Sequence, residues 1–193
     1  MSDFNVYFQI GLKHVLDWNG YDHVLFLMVL SCTSTFKEWK KVLILVSFFT
    51  FGHTLSLLLS VFGVIVAKAY FIELLIPITI FFTAFYNILT IKKFNKNNSI
   101  SMVSAITLLF GVVHGLGFSA YFKNLLSGSN SDKIYPTLSF AIGIEAAQIL
   151  IVFVVLLLAY FAQSVFRVSK RDFVLVLSSV VIGVVLPMIY DRF

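Results

Sequence analysis

The chain of 193 residues is 60% hydrophobic and only 12% charged, with a formal net charge of +5. Because soluble domains carry about 25% charged residues, this composition excludes an ordinary water-soluble domain and predicts an integral membrane protein surrounded by lipid. The positive charge does not indicate nucleic acid as a partner, because the basic residues collect in short loops between apolar runs. The single cysteine, Cys32, excludes an internal disulfide.

Helical periodicity begins close to the N-terminus. Aromatic and aliphatic residues recur at helical spacing between Phe4 and Trp18, with polar residues between them. This pattern predicts a short amphipathic helix over about residues 3–18, lying in the membrane interface and ended by Asn19-Gly20. The first residues show no basic segment and no small-residue cleavage site, so no cleaved signal peptide is predicted.

Six apolar runs follow, and each is long enough to cross a bilayer, which takes about 20 residues. The predicted spans are about 20–36, 41–67, 70–91, 100–122, 136–163 and 173–190. Too little chain remains outside them for a second domain. We therefore predict an all-α polytopic membrane protein, a single integral membrane domain over 1–193 with six transmembrane helices preceded by the short interfacial helix.

The basic residues predict the orientation of the spans. Three alternate loops hold nine of the 14 Lys and Arg residues, namely Lys37, Lys40, Lys41, Lys92, Lys93, Lys96, Arg167, Lys170 and Arg171. Positively charged loops stay in the cytoplasm. Both termini are therefore expected on the outer side of the membrane.

Ionisable residues at membrane depth are costly, and they usually face the bundle interior and mark a function. The predicted spans hold a small set of them at this depth, and the amide Gln148 lies one turn from the last: Asp22 and His23 in the first span, His53 in the second, Glu73 in the third, His114 in the fourth, and Glu145 and Gln148 in the fifth. A rise of about 1.5 Å per residue places this whole set in the outer half of the bilayer or at its rim. Polar residues from five spans are thus predicted to collect in one layer.

These side chains predict a metal site. Histidines with carboxylates and no thiolate suit a borderline divalent ion such as nickel or zinc, and also iron or copper(II). The predicted metal ligands are Asp22, His23, His53, His114 and Glu145. Further candidates are Glu73, Gln148 and His14, the last of these on the interfacial helix.

Five segments in order then resemble the HupE/UreJ family of bacterial membrane proteins: GLKHVLDWNGYDHVLF (11–26), FTFGHTLSL (49–57), FIELLIPITI (71–80), FGVVHGLGFSA (110–120) and FAIGIEAAQILIV (140–152). The resemblance implies a nickel permease of the bacterial inner membrane, with His14, Asp22, His23, His53, His114 and Glu145 as metal-handling positions. One spacing departs from the family pattern: seven residues separate His14 from Asp22, where the family has five.

Three functions remain open at this stage. Binding and transport of a divalent transition metal is the leading interpretation. An intramembrane metal-dependent hydrolase would use the same ion to activate water against a lipid or a membrane peptide, with Glu145 as general base. A membrane scaffold with a structural metal is the third, although such sites are closed and fully coordinated by protein. The sequence leaves open whether the chain is a monomer or a homo-oligomer.

Overall fold

The computed structural model describes residues 3–18, 20–91, 100–126 and 131–192. These residues form seven α-helices and contain no strand: α1 Asp3–Val15, α2 Asp22–Ser31, α3 Trp39–Val61, α4 Ala69–Thr90, α5 Ile100–Leu125, α6 Ile134–Ser164 and α7 Lys170–Tyr190. A 3-10 turn, Phe36–Glu38, leads into α3. The all-α prediction is confirmed for this part of the chain, whereas Asn19 and the predicted loop with Lys92, Lys93 and Lys96 lie outside it.

Five helices of the described chain are long and apolar enough to cross a membrane: Phe36–Val61, Ala69–Thr90, Val103–Leu125, Ile134–Ser164 and Lys170–Tyr190. The chain is therefore a multi-pass membrane protein.

The first predicted span differs most from the structure. Helix α2 covers only Asp22–Ser31 instead of 20–36, and its ten residues span about 15 Å, half of a hydrocarbon core. Seven of the ten are buried, and α2 packs against α4, α6 and α7. Its uninterrupted apolar character therefore reflects burial inside the bundle, and the described residues form five long helices and one short one where six full spans were predicted.

Helix α3 ends at Val61, six residues before the predicted end of the second span at 67. Gly63 adopts a left-handed conformation with φ +75°, which glycine tolerates at a helix C-terminus. Its N–H bonds to the Ser60 carbonyl, and the Val64 N–H bonds to the Leu59 carbonyl. The apolar residues after Gly63 continue the hydrophobic run, so hydropathy alone conceals this end.

Helix α1 packs tightly on α6. A Cβ atom at Gly11 would strike the Phe140 carbonyl oxygen, and a Cβ atom at Gly143 would strike the Phe8 carbonyl oxygen. Small residues at such a crossing let two helix backbones meet. Helix α1 is thus part of the bundle, and its predicted position in the membrane interface stays a prediction.

Helices α3 and α5 form a second close crossing. Gly52 faces the Leu108 carbonyl of α5, and Gly111 and Gly115 face the Phe49 and His53 carbonyls of α3. No side chain fits between the two backbones at these points. The crossing holds the backbone of His53 against the part of α5 that carries His114.

Candidate metal centre

Four helices each contribute one histidine to a single cluster, which we call the histidine cluster: His14 from α1, His23 from α2, His53 from α3 and His114 from α5. The ring of His23 lies 4.7 Å from His14, 5.9 Å from His53 and 5.1 Å from His114, measured between centroids. His14, His23 and His53 each offer one ligand atom, and these three atoms lie within 4.8 Å of one another. The separation suits side chains that face a common ion.

Five ring nitrogens of the cluster have no hydrogen-bond partner among the described residues. The Nε2 atoms of all four histidines, and also Nδ1 of His53, are buried without a hydrogen-bond partner. A buried polar group without a partner costs free energy, and here several such groups converge on one point. A cation that accepts their lone pairs would remove this cost, so the donor set fits a metal ion.

Hydrogen bonds at the opposite ring nitrogens fix two of the tautomers. Nδ1 of His114 lies 2.9 Å from the Phe110 carbonyl oxygen, and Nδ1 of His23 lies 3.0 Å from Oδ1 of Asp22. Since both oxygens can only accept, each Nδ1 carries the proton and donates it. The lone pair is then left on Nε2, inside the cluster, which is the arrangement usual for metal-binding histidines.

A cavity of about 160 Å³ leads to the cluster. It can hold an ion with several waters, because one water occupies about 30 Å³ of liquid. Its lining includes three of the histidines, three acidic side chains and one arginine: His14, His23, His114, Asp17, Asp22, Glu73 and Arg192. The excess of carboxylates attracts cations. We call the end of the bundle where this cavity opens, at the starts of α2 and α4 and the end of α7, the pocket end.

Asp17 and Arg192 are site residues that sequence reasoning missed. On the predicted helix over residues 3–18, Asp17 stands three residues after His14, and residues at that spacing lie on the same side of a helix. That spacing could have associated it with the site. Arg192 donates from Nη1 to the Glu73 carbonyl oxygen at 2.7 Å. The predicted topology places the end of the last span and the start of the third on the same side of the membrane, but it gives neither their contact nor the direction of the side chain.

Two phenylalanines form the floor of the site. Phe26 and Phe49 are fully buried, and their rings stack with centroids 5.0 Å apart. The Phe49 ring lies 5.1 Å from His114 and 6.0 Å from His23. Phe26 follows His23 by three residues on α2, so the pair lies one turn deeper than the histidines and separates them from the far end of the bundle.

The structure does not bring Glu145 and Gln148 to the histidines. Glu145 accepts a hydrogen bond of 2.6 Å from the Ser47 hydroxyl, and Gln148 accepts one of 2.8 Å from the Thr50 hydroxyl. Neither residue lines the cavity. The estimate of depth gave their height in the membrane but not the direction in which each side chain leaves its helix, and they face α3 below His53.

Of the other predicted residues, Asp22 contacts His23 directly, and Glu73 lines the mouth of the cavity at an exposed position. His14, predicted on the interfacial helix, is one of the three histidines whose ligand atoms lie closest together. The tight packing of α1 on α6 carries it there.

Comparison with known proteins identifies the family of the chain. No curated protein and no solved structure gives a significant match. A family model described as HupE / UreJ protein matches residues 1–190. Because this match covers essentially the whole sequence, the chain belongs to the HupE/UreJ family.

Proposed function

We propose that the chain is a permease for a divalent transition-metal cation of the nickel type, and that the histidine cluster binds this cargo. The observation that carries the proposal is a cluster of four buried histidines whose Nε2 atoms have no partner among the described residues, three of which bring ligand atoms within 4.8 Å of one another. Membership of a family associated with nickel and cobalt transport supports it. Imidazole nitrogen suits nickel, zinc and copper(II), whereas copper(I) prefers thiolate or thioether ligands, and none lines the cavity.

The cavity supplies the route to the cluster. Asp17, Asp22 and Glu73 concentrate cations at the mouth, and the open side of the cluster leaves coordination positions for waters that the ion loses stepwise. Phe26 and Phe49 close the other side, so transport requires these rings to separate. This conformation is one of the two that alternating access needs.

The distribution of charge supports an outward-facing pocket end. Lys40 precedes His53 by thirteen residues on α3, which corresponds to about 20 Å, so the basic residues of this loop lie at the far end of the bundle. Under the positive-inside rule that end faces the cytoplasm. The cargo would then enter from the outer side of a bacterial inner membrane, where both termini lie.

Uptake by purified protein in liposomes tests the proposal. Wild-type protein should bind nickel or zinc and move it to an indicator inside the vesicles, and His53→Ala should lose both activities. Thr54→Ala is the matched control, because the neighbouring Thr54 hydroxyl donates only to the Thr50 carbonyl of its own helix. Binding without uptake would refute transport and leave a bound metal in an enzyme or a scaffold, whereas absence of binding would refute the site itself.

No observation favours the hydrolase over the permease. Its general base was predicted to be Glu145, which pairs with Ser47 away from the cavity. Asp22 is the carboxylate nearest the cluster, and it holds Nδ1 of His23.

A further inference from the structure

A carboxyl group lies at mid-membrane depth on the outer surface of the bundle. Ser47 stands eleven residues into the apolar span Phe36–Val61, and Glu145 stands eleven residues into the span Ile134–Ser164, so each lies about 16 Å or slightly more from the start of its span. Ser47 is exposed and Glu145 is partly exposed, and the serine hydroxyl donates to the Glu145 carboxyl at 2.6 Å. A monomer would present this pair to hydrocarbon.

Such an arrangement is unfavourable for a protein alone in lipid. Acidic side chains within transmembrane segments almost always face the bundle interior, a water-filled cavity or a partner. Gln148, one turn further along α6, follows this rule, because it is buried and paired with Thr50. The Glu145 carboxyl has several acceptor positions, and the Ser47 hydroxyl fills one of them. A further partner is therefore needed on the lipid side.

We propose that this surface, which we call the Ser47–Glu145 face, is the contact between two copies of the chain related by a two-fold axis. A two-fold contact uses the same patch twice, so the patch must complement itself. The Ser47 hydroxyl proton is already donated within the chain, but the carboxyl group can complement its own copy, because a protonated carboxyl donates and an ionised one accepts. Across the axis the two carboxyl groups can share a proton and hydrogen-bond to each other, and polar pairs of this kind hold membrane helices together.

The residues around the pair suit the same contact. On α3, Ile44 and Phe51 lie three and four residues from Ser47 and are 48% and 61% exposed. On α6, Ile142 and Ile149 lie three and four residues from Glu145 and are 51% and 43% exposed. These apolar side chains surround the polar pair, so a second copy would exclude lipid from it on both helices.

Cross-linking in liposomes tests the position of the contact. Cys32 is the single cysteine, so Cys32→Ser gives a cysteine-free background. Phe51→Cys in that background, reacted with a short bismaleimide at high lipid-to-protein ratio, should give a covalent dimer. Val176→Cys on α7 is the matched control, because Val176 is 63% exposed and Phe51 is 61% exposed; it should stay monomeric.

The role of the carboxyl group is tested by the dimerisation equilibrium. With protein that retains Cys32 and carries fluorophores at its N-terminus, energy transfer at increasing lipid dilution gives the dissociation constant. Glu145→Leu should raise it by about tenfold, as expected for loss of a hydrogen bond between membrane helices, and Glu145→Gln should raise it less. A wild-type monomer at every dilution, equal cross-linking at Val176→Cys, or a Glu145→Leu variant that dimerises like wild type would each overturn the proposal.

Discussion

The Asp22→Asn substitution tests whether metal affinity depends on the hydrogen bond that orients His23. It leaves the imidazole of His23 in place and changes only its partner. Oδ1 of Asp22 accepts from Nδ1 of His23 at 3.0 Å and from the His23 backbone N–H at 2.8 Å. Asparagine has nearly the same size and retains an acceptor oxygen, but it lacks the charge that makes Nε2 of His23 a stronger donor to a metal. Loss of such a partner lowers metal affinity by about 10- to 100-fold, which corresponds to about 1.4–2.7 kcal/mol of binding free energy.

Competition with a chromophoric chelator measures this effect on purified protein in detergent, with zinc or nickel at neutral pH. Glu73→Gln is the matched control, since it also removes one negative charge from the lining of the cavity, but at the exposed mouth, where water and salt screen the charge. We expect its affinity to stay within about threefold of wild type. An Asp22→Asn protein that binds like wild type, or two variants that lose affinity equally, would refute the argument from orientation.

Three further predictions follow from packing and protonation. Gly143→Ala should destabilise the protein by about 1–3 kcal/mol, as overpacking does, because the new methyl group strikes the Phe8 carbonyl. Thermal unfolding should detect this loss of stability. Gly183→Ala is the control and should be neutral, because Gly183 has open space around it. Phe49→Leu should loosen the floor of the site and raise passive metal leak through liposomes, whereas an unchanged leak would show that the ring is not a barrier. Metal affinity should fall as the pH is lowered from about 8 to about 5, because protons compete for the imidazole nitrogens; chelator competition across this range measures it, and a flat profile would argue against histidine ligands.

The fold class and part of the site could be predicted from the sequence because their signals are local. Long apolar runs mark the helices, and histidines inside them mark a polar layer, so His53 and His114 could be assigned to one depth and His23 to the level just above them. Tertiary contacts determined the rest. Helix α2 is apolar because it is buried in the bundle, so hydropathy predicted a full span where the structure has a short helix. The packing of α1 on α6 places His14 in the histidine cluster. The partner of Glu145, which is Ser47 in the structure, could not be predicted because depth does not specify which way a side chain points.

X-ray absorption at the zinc edge, on purified protein loaded with one equivalent of zinc, tests the central claim most directly. The histidine cluster predicts a first shell with three or four imidazole nitrogens at about 2.0–2.1 Å, and one imidazole fewer in His53→Ala. A shell of oxygen atoms alone, or zinc that stays in solution, would contradict the claim that these four histidines bind the metal.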